Sequence, residues 1–313
     1  MPGGGYDYIY RVGSALVHFP VPPKGFNPLS ATAAKLQEYG FQPRPSGGTA
    51  LAQWTNMMAH YRQTPIPSVV LVQSQRDHLV KKGHIAFGTE NSANWAGWIA
   101  DSTTQEFVAT QMDYTQPAAQ ATSCAGAVQS VWTGLGGVNS TSLVQDGTAL
   151  PGTIPGASGY SAWYEYMNGT SNVGPKVMGN LVVNPGDSIH LYTAYSTSNG
   201  EINFYIADNT TGTSQAALVT GVGTAYYDGS STEYITERSV CGNGCFYPLE
   251  QFTAFSSSTD QAETTSGSWI PISSAPYPLQ VSMFAQVTGD LLAAPSGLNS
   301  SGDGFSTTWY ACS

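Results

Sequence analysis

From Asn94 to the C-terminus, apolar and polar positions alternate in short runs cut by Gly, Pro, Asn and Asp. Residues 95–99, 107–112, 127–132, 162–166, 188–195, 202–207, 233–236 and 280–285 each carry such a run. A period of two between turn signals predicts half-buried strands. Strands this short and this many predict an all-β chain, an antiparallel two-sheet β-sandwich of jelly-roll or concanavalin-like type. The first 90 residues read differently. After Pro20, Pro22 and Pro23, Ser30 or Thr32 is placed to cap a short helix ending near Tyr39, where Gly40 stops it. Thr49 is expected to cap a second helix reaching about Gln63, with Leu51, Trp54, Met58 and Tyr61 at helical spacing. That stripe needs a surface to lie on. Pro65 and Pro67 end the helix, residues 69–72 read as a short strand, and Lys81-Lys82-Gly83 opens an exposed junction reaching about Asn91. The division expected is a small, partly helical segment over residues 1–90 and a sandwich over 91–313.

Charge sharpens this division. Eight of the ten Lys and Arg residues lie in the first 84 positions against Asp7, Glu38 and Asp77, a formal +5. The remainder holds only Lys176 and Arg238 against 17 carboxylates, a formal −15. Charged residues make up 10% of the chain, far below the ~25% usual in soluble proteins. A surface built on neutral polar groups changes little on protonation, which suits an extracellular protein working in acid. The body is too acidic for a nucleic-acid partner, and no run of 18 apolar residues predicts a membrane span. The four cysteines, Cys124, Cys241, Cys245 and Cys312, all fall in the acidic part. An even number in this composition favours two disulfides. Cys241 and Cys245, separated by Gly-Asn-Gly, are able to close on each other, which leaves Cys124 for Cys312; a four-thiolate zinc site is the alternative.

Exclusion narrows the chemistry. Beyond residue 84 there is one histidine, His190, set in a strand pattern that favours a structural role. No Gly-x-Ser-x-Gly elbow and no Asp-Thr-Gly or Asp-Ser-Gly loop is present. Histidine-based metal sites lack ligands, so neither a metal nor another cofactor is expected. What remains are carboxylates and amides. In Ala162-Trp163-Tyr164-Glu165-Tyr166, Trp163 and Glu165 share one strand face and the tyrosines the other. Glu233, Ile235 and Glu237 likewise share a face. A glutamate among aromatics on a concave sheet face is a candidate acid or base, though a solvated strand carboxylate is the more ordinary reading of either one alone.

Six blocks in order resemble the glutamic peptidases of the eqolisin family across most of residues 91–313. They are Asn94-Trp95-Ala96-Gly97-Trp98, Val131-Trp132-Thr133-Gly134-Leu135-Gly136-Gly137, Val144-Gln145-Asp146-Gly147, Ala162-Trp163-Tyr164-Glu165-Tyr166, Pro185-Gly186-Asp187-Ser188-Ile189 and Thr232-Glu233-Tyr234-Ile235-Thr236-Glu237-Arg238. The resemblance implies a catalytic pair, Gln145 and Glu237, with Trp132, Trp163 and Glu165 lining or supporting the cleft. It also marks Gly136 as a departure, since the family usually has Asp there, so that a hydrogen bond beside the site is lost or supplied elsewhere. The chemistry implied is hydrolysis of peptide bonds: Glu237 takes a proton from the attacking water, while Gln145, which does not titrate, donates to the developing oxyanion.

The basic segment resembles the leaders of bacterial members through Pro23-Lys24-Gly25-Phe26-Asn27-Pro28-Leu29 and Tyr39-Gly40-Phe41-Gln42-Pro43-Arg44-Pro45. This implies a pro-segment acting as an intramolecular inhibitor of a secreted, monomeric zymogen; a permanent N-terminal subdomain is the alternative. Opposite charge would hold it on the body near neutral pH. Acid, by neutralising carboxylates and charging His18, His60, His78 and His84, would loosen it. Two other readings are a jelly-roll glycosidase working through Glu165 and Glu237, and a non-catalytic carbohydrate- or protein-binding sandwich.

Overall fold

A computed structural model of the chain describes residues 4–63, 69–70, 88–120, 124–169, 172–241 and 245–313. The N-terminal segment contributes strands β1 (Tyr6–Val12) and β2 (Ala15–Val21), helices α1 (Ala33–Glu38) and α2 (Gly48–His60), and strands β3 (Val69–Val70) and β4 (Gly88–Ser92). Then follow β5 (Trp95–Asp101), β6 (Phe107–Thr115), β7 (Ser130–Gly136), β8 (Ser142–Ala149), β9 (Ser161–Asn168), β10 (Asn172–Val182), β11 (Ser188–Tyr195), β12 (Ile202–Asp208) and β13 (Thr213–Thr220). The chain ends with β14 (Ser231–Glu237), β15 (Val240–Cys241), β16 (Cys245–Phe246), β17 (Phe255–Thr264), β18 (Trp269–Pro271), β19 (Tyr277–Phe284), β20 (Leu291–Pro295) and β21 (Ser306–Trp309).

These strands form the two layers that the alternation predicts. The front sheet runs β3-β10-β9-β8-β7-β14-β5-β19-β4, antiparallel except for the parallel pair β19–β4. The back sheet runs β1-β2-β13-β12-β11-β6-β17-β18, antiparallel throughout. On one side β19, β20, β21 and β17 pair in succession and join the layers. Between the sheets lies the main core, where Val131, Tyr164, Tyr166 and Tyr234 of the front meet Ile189, Leu191, Phe204 and Ile206 of the back. Full burial of each such side chain is worth roughly 1.5–3 kcal/mol.

The helices answer to their local chemistry. Thr32 caps α1, its hydroxyl accepting the Lys35 N–H at 3.2 Å. Helix α2 begins at Gly48 behind Gly47, one residue before the expected Thr49 cap, and ends at His60 rather than near Gln63. Arg62 there leaves the helix and its N–H donates to Gly212 O of the back sheet. The surface needed by the α2 stripe is the outer face of that sheet: Leu36, Tyr39, Phe41, Trp54 and Met58 pack on Ala109, Tyr192, Tyr205, Ala207 and Ala216. An unexpected hairpin, β1–β2, extends the same sheet at β13. Residues 71–87, including the Lys81-Lys82-Gly83 junction, His78 and His84, lie outside the described residues.

All four cysteines are paired, Cys124 with Cys312 at 6.0 Å between Cα atoms and Cys241 with Cys245 at 5.1 Å. The first ties the chain's end to the loop before β7, and no thiolate remains for zinc. No helix among the described residues is long and apolar enough to cross a membrane.

Candidate active site

The outer face of the front sheet carries a second apolar cluster in which Trp95, Ile99, Trp132, Trp163, Ile235 and Leu279 gather. Pleating explains the membership. Trp163 and Ile235 point outward because their neighbours Tyr164 and Tyr234 point into the main core. Glu165 and Glu237 follow the same alternation and line one shallow cleft with Ser130, Thr153, Ile154, Trp163, Pro175 and Ser239. Neither is a solvated strand carboxylate: Glu165 is 0% exposed and Glu237 1%.

Each carboxylate is held by a neutral donor. Trp132 on β7 donates its indole Nε1–H to Glu237 Oε2 at 2.7 Å. Asn94, in the turn between β4 and β5, donates Nδ2–H to Glu237 Oε1 at 3.0 Å. Gln145 on β8 sits opposite Glu165 on β9 and donates Nε2–H to its Oε2 at 2.8 Å. Its own Oε1 is buried without a protein partner. The site therefore consists of two carboxylates in one cleft, one tied to an indole and an amide, the other to a glutamine.

The neighbours that fix these donors are local. Trp132 is stacked edge-on against Trp95 at 5.2 Å. A Cβ on Gly147 of β8 would come within 2.7 Å of the Trp132 Cβ and 2.3 Å of Val131 O, so the strand passes Trp132 only as glycine. Arg238, one residue beyond Glu237, donates Nε–H to Ala93 O at 2.8 Å and lies over the Phe246 ring at 5.2 Å. Burial lowers its pKa to about 10, which leaves it a cation. Its bond to Ala93 holds the turn that carries Asn94. Asn94 opens the first sequence block, yet its contact with Glu237 joins residues 143 positions apart, and no local pattern reveals it.

Gly136 is not in the cleft. Its φ is +87°, and a Cβ would lie 2.4 Å from Ser142 O and 2.9 Å from the Asp228 Cβ. This backbone does not admit an Asp, and Asp228 from the loop before β14 occupies the neighbouring space. Asp228 joins Asp101 around Glu233, which is fully buried on the same outer face as Glu237. Burial raises the pKa of Glu233 well above the usual glutamate range; the Ser231 hydroxyl opposes this slightly, and Asp228 and Asp101 add to it. Asp146, next to Gln145 but facing the other way, and Asp260 on β17 are raised by burial as well. His190, the one histidine of the body, lies on the back sheet, away from this cleft, with Asp113 and Gln42 as partners.

Among the described residues no cluster of three or more His, Cys, Asp or Glu could hold a metal ion. No curated protein matches the chain. In solved structures the same fold recurs. One is scytalido-glutamic peptidase with a peptide-based transition-state analogue, 18% identical, covering 70% of this chain and 99% of that one at a TM-score of 0.55. Another is SCP-B, a member of the eqolisin family of peptidases, in complex with the tripeptide Ala-Ile-His; it is 19% identical, with 70% and 99% coverage and a TM-score of 0.54. Residues 93–294 match the family model described as the peptidase A4 family. That stretch spans β5 to β20, the whole of the cleft included, and the chain belongs to this family of glutamic peptidases.

Proposed function

We propose that the chain is a secreted acid endopeptidase, made as a zymogen, in which Glu237 and Gln145 activate water against a peptide bond. The observation that carries this reading is Glu237, held from both oxygens by Trp132 and Asn94, on the same sheet face as a buried glutamine whose carbonyl oxygen has no protein partner. Ionised Glu237 takes a proton from water as the oxygen attacks the scissile carbonyl, then returns it to the leaving amine. The Gln145 Nε2 group has one N–H bound by Glu165 and a second left for the oxyanion, while its Oε1 orients the water. Loss of one such donor typically costs about 3 kcal/mol of transition-state stabilisation. Trp163 and Pro175 supply apolar walls for the peptide substrate.

The two disulfides support a secreted protein. The zymogen reading is supported by where the basic segment is attached: β3 pairs with β10 at one edge of the front sheet, and β4 pairs with β19 at the other. An inhibitory segment spanning residues 1–90 would be opened between these two attachments. The test is incubation with casein at pH 3–4. Cleavage is expected, together with a new N-terminus between about Lys81 and Asn94. Both should vanish in Gln145→Ala and Glu237→Gln. Wild-type rates in either variant would overturn the assignment of the pair.

A further inference from the structure

The N-terminal segment is built into the sandwich more deeply than a detachable cover requires. Ala15, Val17 and Phe19 of β2 belong to the main core between the sheets. Phe19 packs at 6.2 Å from Tyr164 of β9, the strand that carries Glu165. Strand β2 extends the back sheet in register with β13, His18 opposite Leu218. Further along, α1 and α2 seal the outer face of that sheet. Gln53 of α2 donates to the Thr259 hydroxyl at 3.1 Å, and Thr259 holds a φ of +61°, a strained value for a β-branched residue.

A polar chain crosses this interface. His190 Nδ1 lies 2.8 Å from Asp113 Oδ1, and Nε2 lies 3.0 Å from Gln42 Oε1. Gln42 spends its amide N–H on Gln111 Oε1, and Gln111 Nε2 donates in turn to Gln261 Oε1 at 3.2 Å. Both ring nitrogens of His190 therefore have oxygen partners, one on the back sheet and one on the N-terminal segment. The groups facing His190 are Asp113 from β6, Gln42 from the loop after α1 and the Tyr205 ring from β12. Asp113 lines the cavity of about 250 Å³ between α2 and the back sheet. Asp260, which acts on Asp113 from β17, is held towards its protonated form by burial. His18 repeats the arrangement, its nitrogens 2.9 Å from Asp7 Oδ2 and 3.2 Å from the Thr220 hydroxyl.

We propose that residues 5–63 are a permanent partner of the sandwich, retained when the chain is opened downstream, with His190 and Gln42 as the buried polar link across the interface. The proposal takes its setting from the zymogen reading, but the interface exists whether or not the chain cuts peptides.

The full chain carrying Glu237→Gln, with a specific protease site replacing residues 74–80, separates the two questions. After cutting, the pieces are run on size exclusion at pH 5 and pH 8. Co-elution at both pH values is expected. His190→Leu and Gln42→Leu should each make the N-terminal piece leave at least tenfold faster while the uncut chains keep their circular dichroism, and release no faster than in the parent would overturn the link. Separation of the pieces at either pH would overturn the permanent partnership. Casein cleavage plays no part in these readings, so failure of the peptidase assignment would show elsewhere.

Discussion

Two glutamates on β14, Glu233 and Glu237, share a strand, a face and full burial and differ in their partners. Glu237 meets an indole N–H and an amide N–H, one on each oxygen. Glu233 is just as buried, and burial drives its pKa upward, with Asp228 and Asp101 adding to the rise. Burial alone therefore does not equip a carboxylate for chemistry. What sets Glu237 apart is the pair of N–H donors aimed at it. One strand thus carries the glutamate proposed as the base and another whose proton burial helps to retain.

Exchanging carboxyl for amide at each position tests this contrast most strongly. Glu237→Gln is expected to lower kcat by about 10⁴-fold, the upper range for a general base, with a melting temperature within about 3 °C of the parent, or ~1 kcal/mol. Glu233→Gln should keep kcat within about twofold, because a neutral amide resembles the protonated acid it replaces. Equal losses in both variants would erase the distinction. Next in size is Trp132→Phe, which keeps the ring but removes the donor to Glu237. Losing a hydrogen bond to a charged group costs about 1.5–3 kcal/mol, so kcat/KM should fall roughly 10- to 150-fold, and unchanged kinetics would refute the role of the indole. The smallest effect concerns stability. Glu233, Asp146 and Asp260 all have raised pKa values in the fold. Their contribution is complete below the unfolded carboxylate range near ~4 and is lost as pH rises through the higher folded values. Thermal unfolding followed from pH 4 to 8 should show falling stability, with a shallower fall in Glu233→Gln. An identical slope would mean that Glu233 is ionised in the fold.

Strand alternation carried much of this into the sequence. The outward set Trp163, Glu165, Ile235 and Glu237 follows from period two alone, and so does the inward pair Tyr164 and Tyr166. Thr32 announces its helix. The failures have physical causes. Strand β17 reads Ser-Ser-Ser-Thr-Asp-Gln-Ala across its middle, too polar to show alternation, and is recruited by β6 through tertiary pairing. The hairpin β1–β2 does alternate, but Pro20 within β2 and Pro22-Pro23 just after it carry the signal of a loop. The state of Glu233 depends first on its burial and then on Asp101 at the end of β5 and Asp228 in a loop, distant in the chain, and the need for glycine at 136 comes from a backbone turn that local sequence does not display. The resemblance points to Gln145 and Glu237 as the proposed pair; it did not extend to Asn94 as a partner.

The turn at Ala93 and Asn94 links a boundary to the chemistry. The chain runs up one side of β19 as β4, crosses in two residues, and returns on the other side as β5. Asn94 grips Glu237 from that crossing, and Arg238 grips Ala93. The turn between β4 and β5 therefore doubles as a strut for the carboxylate. Under the proposed opening of the chain, a cut that leaves β4 in place would preserve the strut and one that frays β4 would slacken it, so the place of the cut would set the quality of the site.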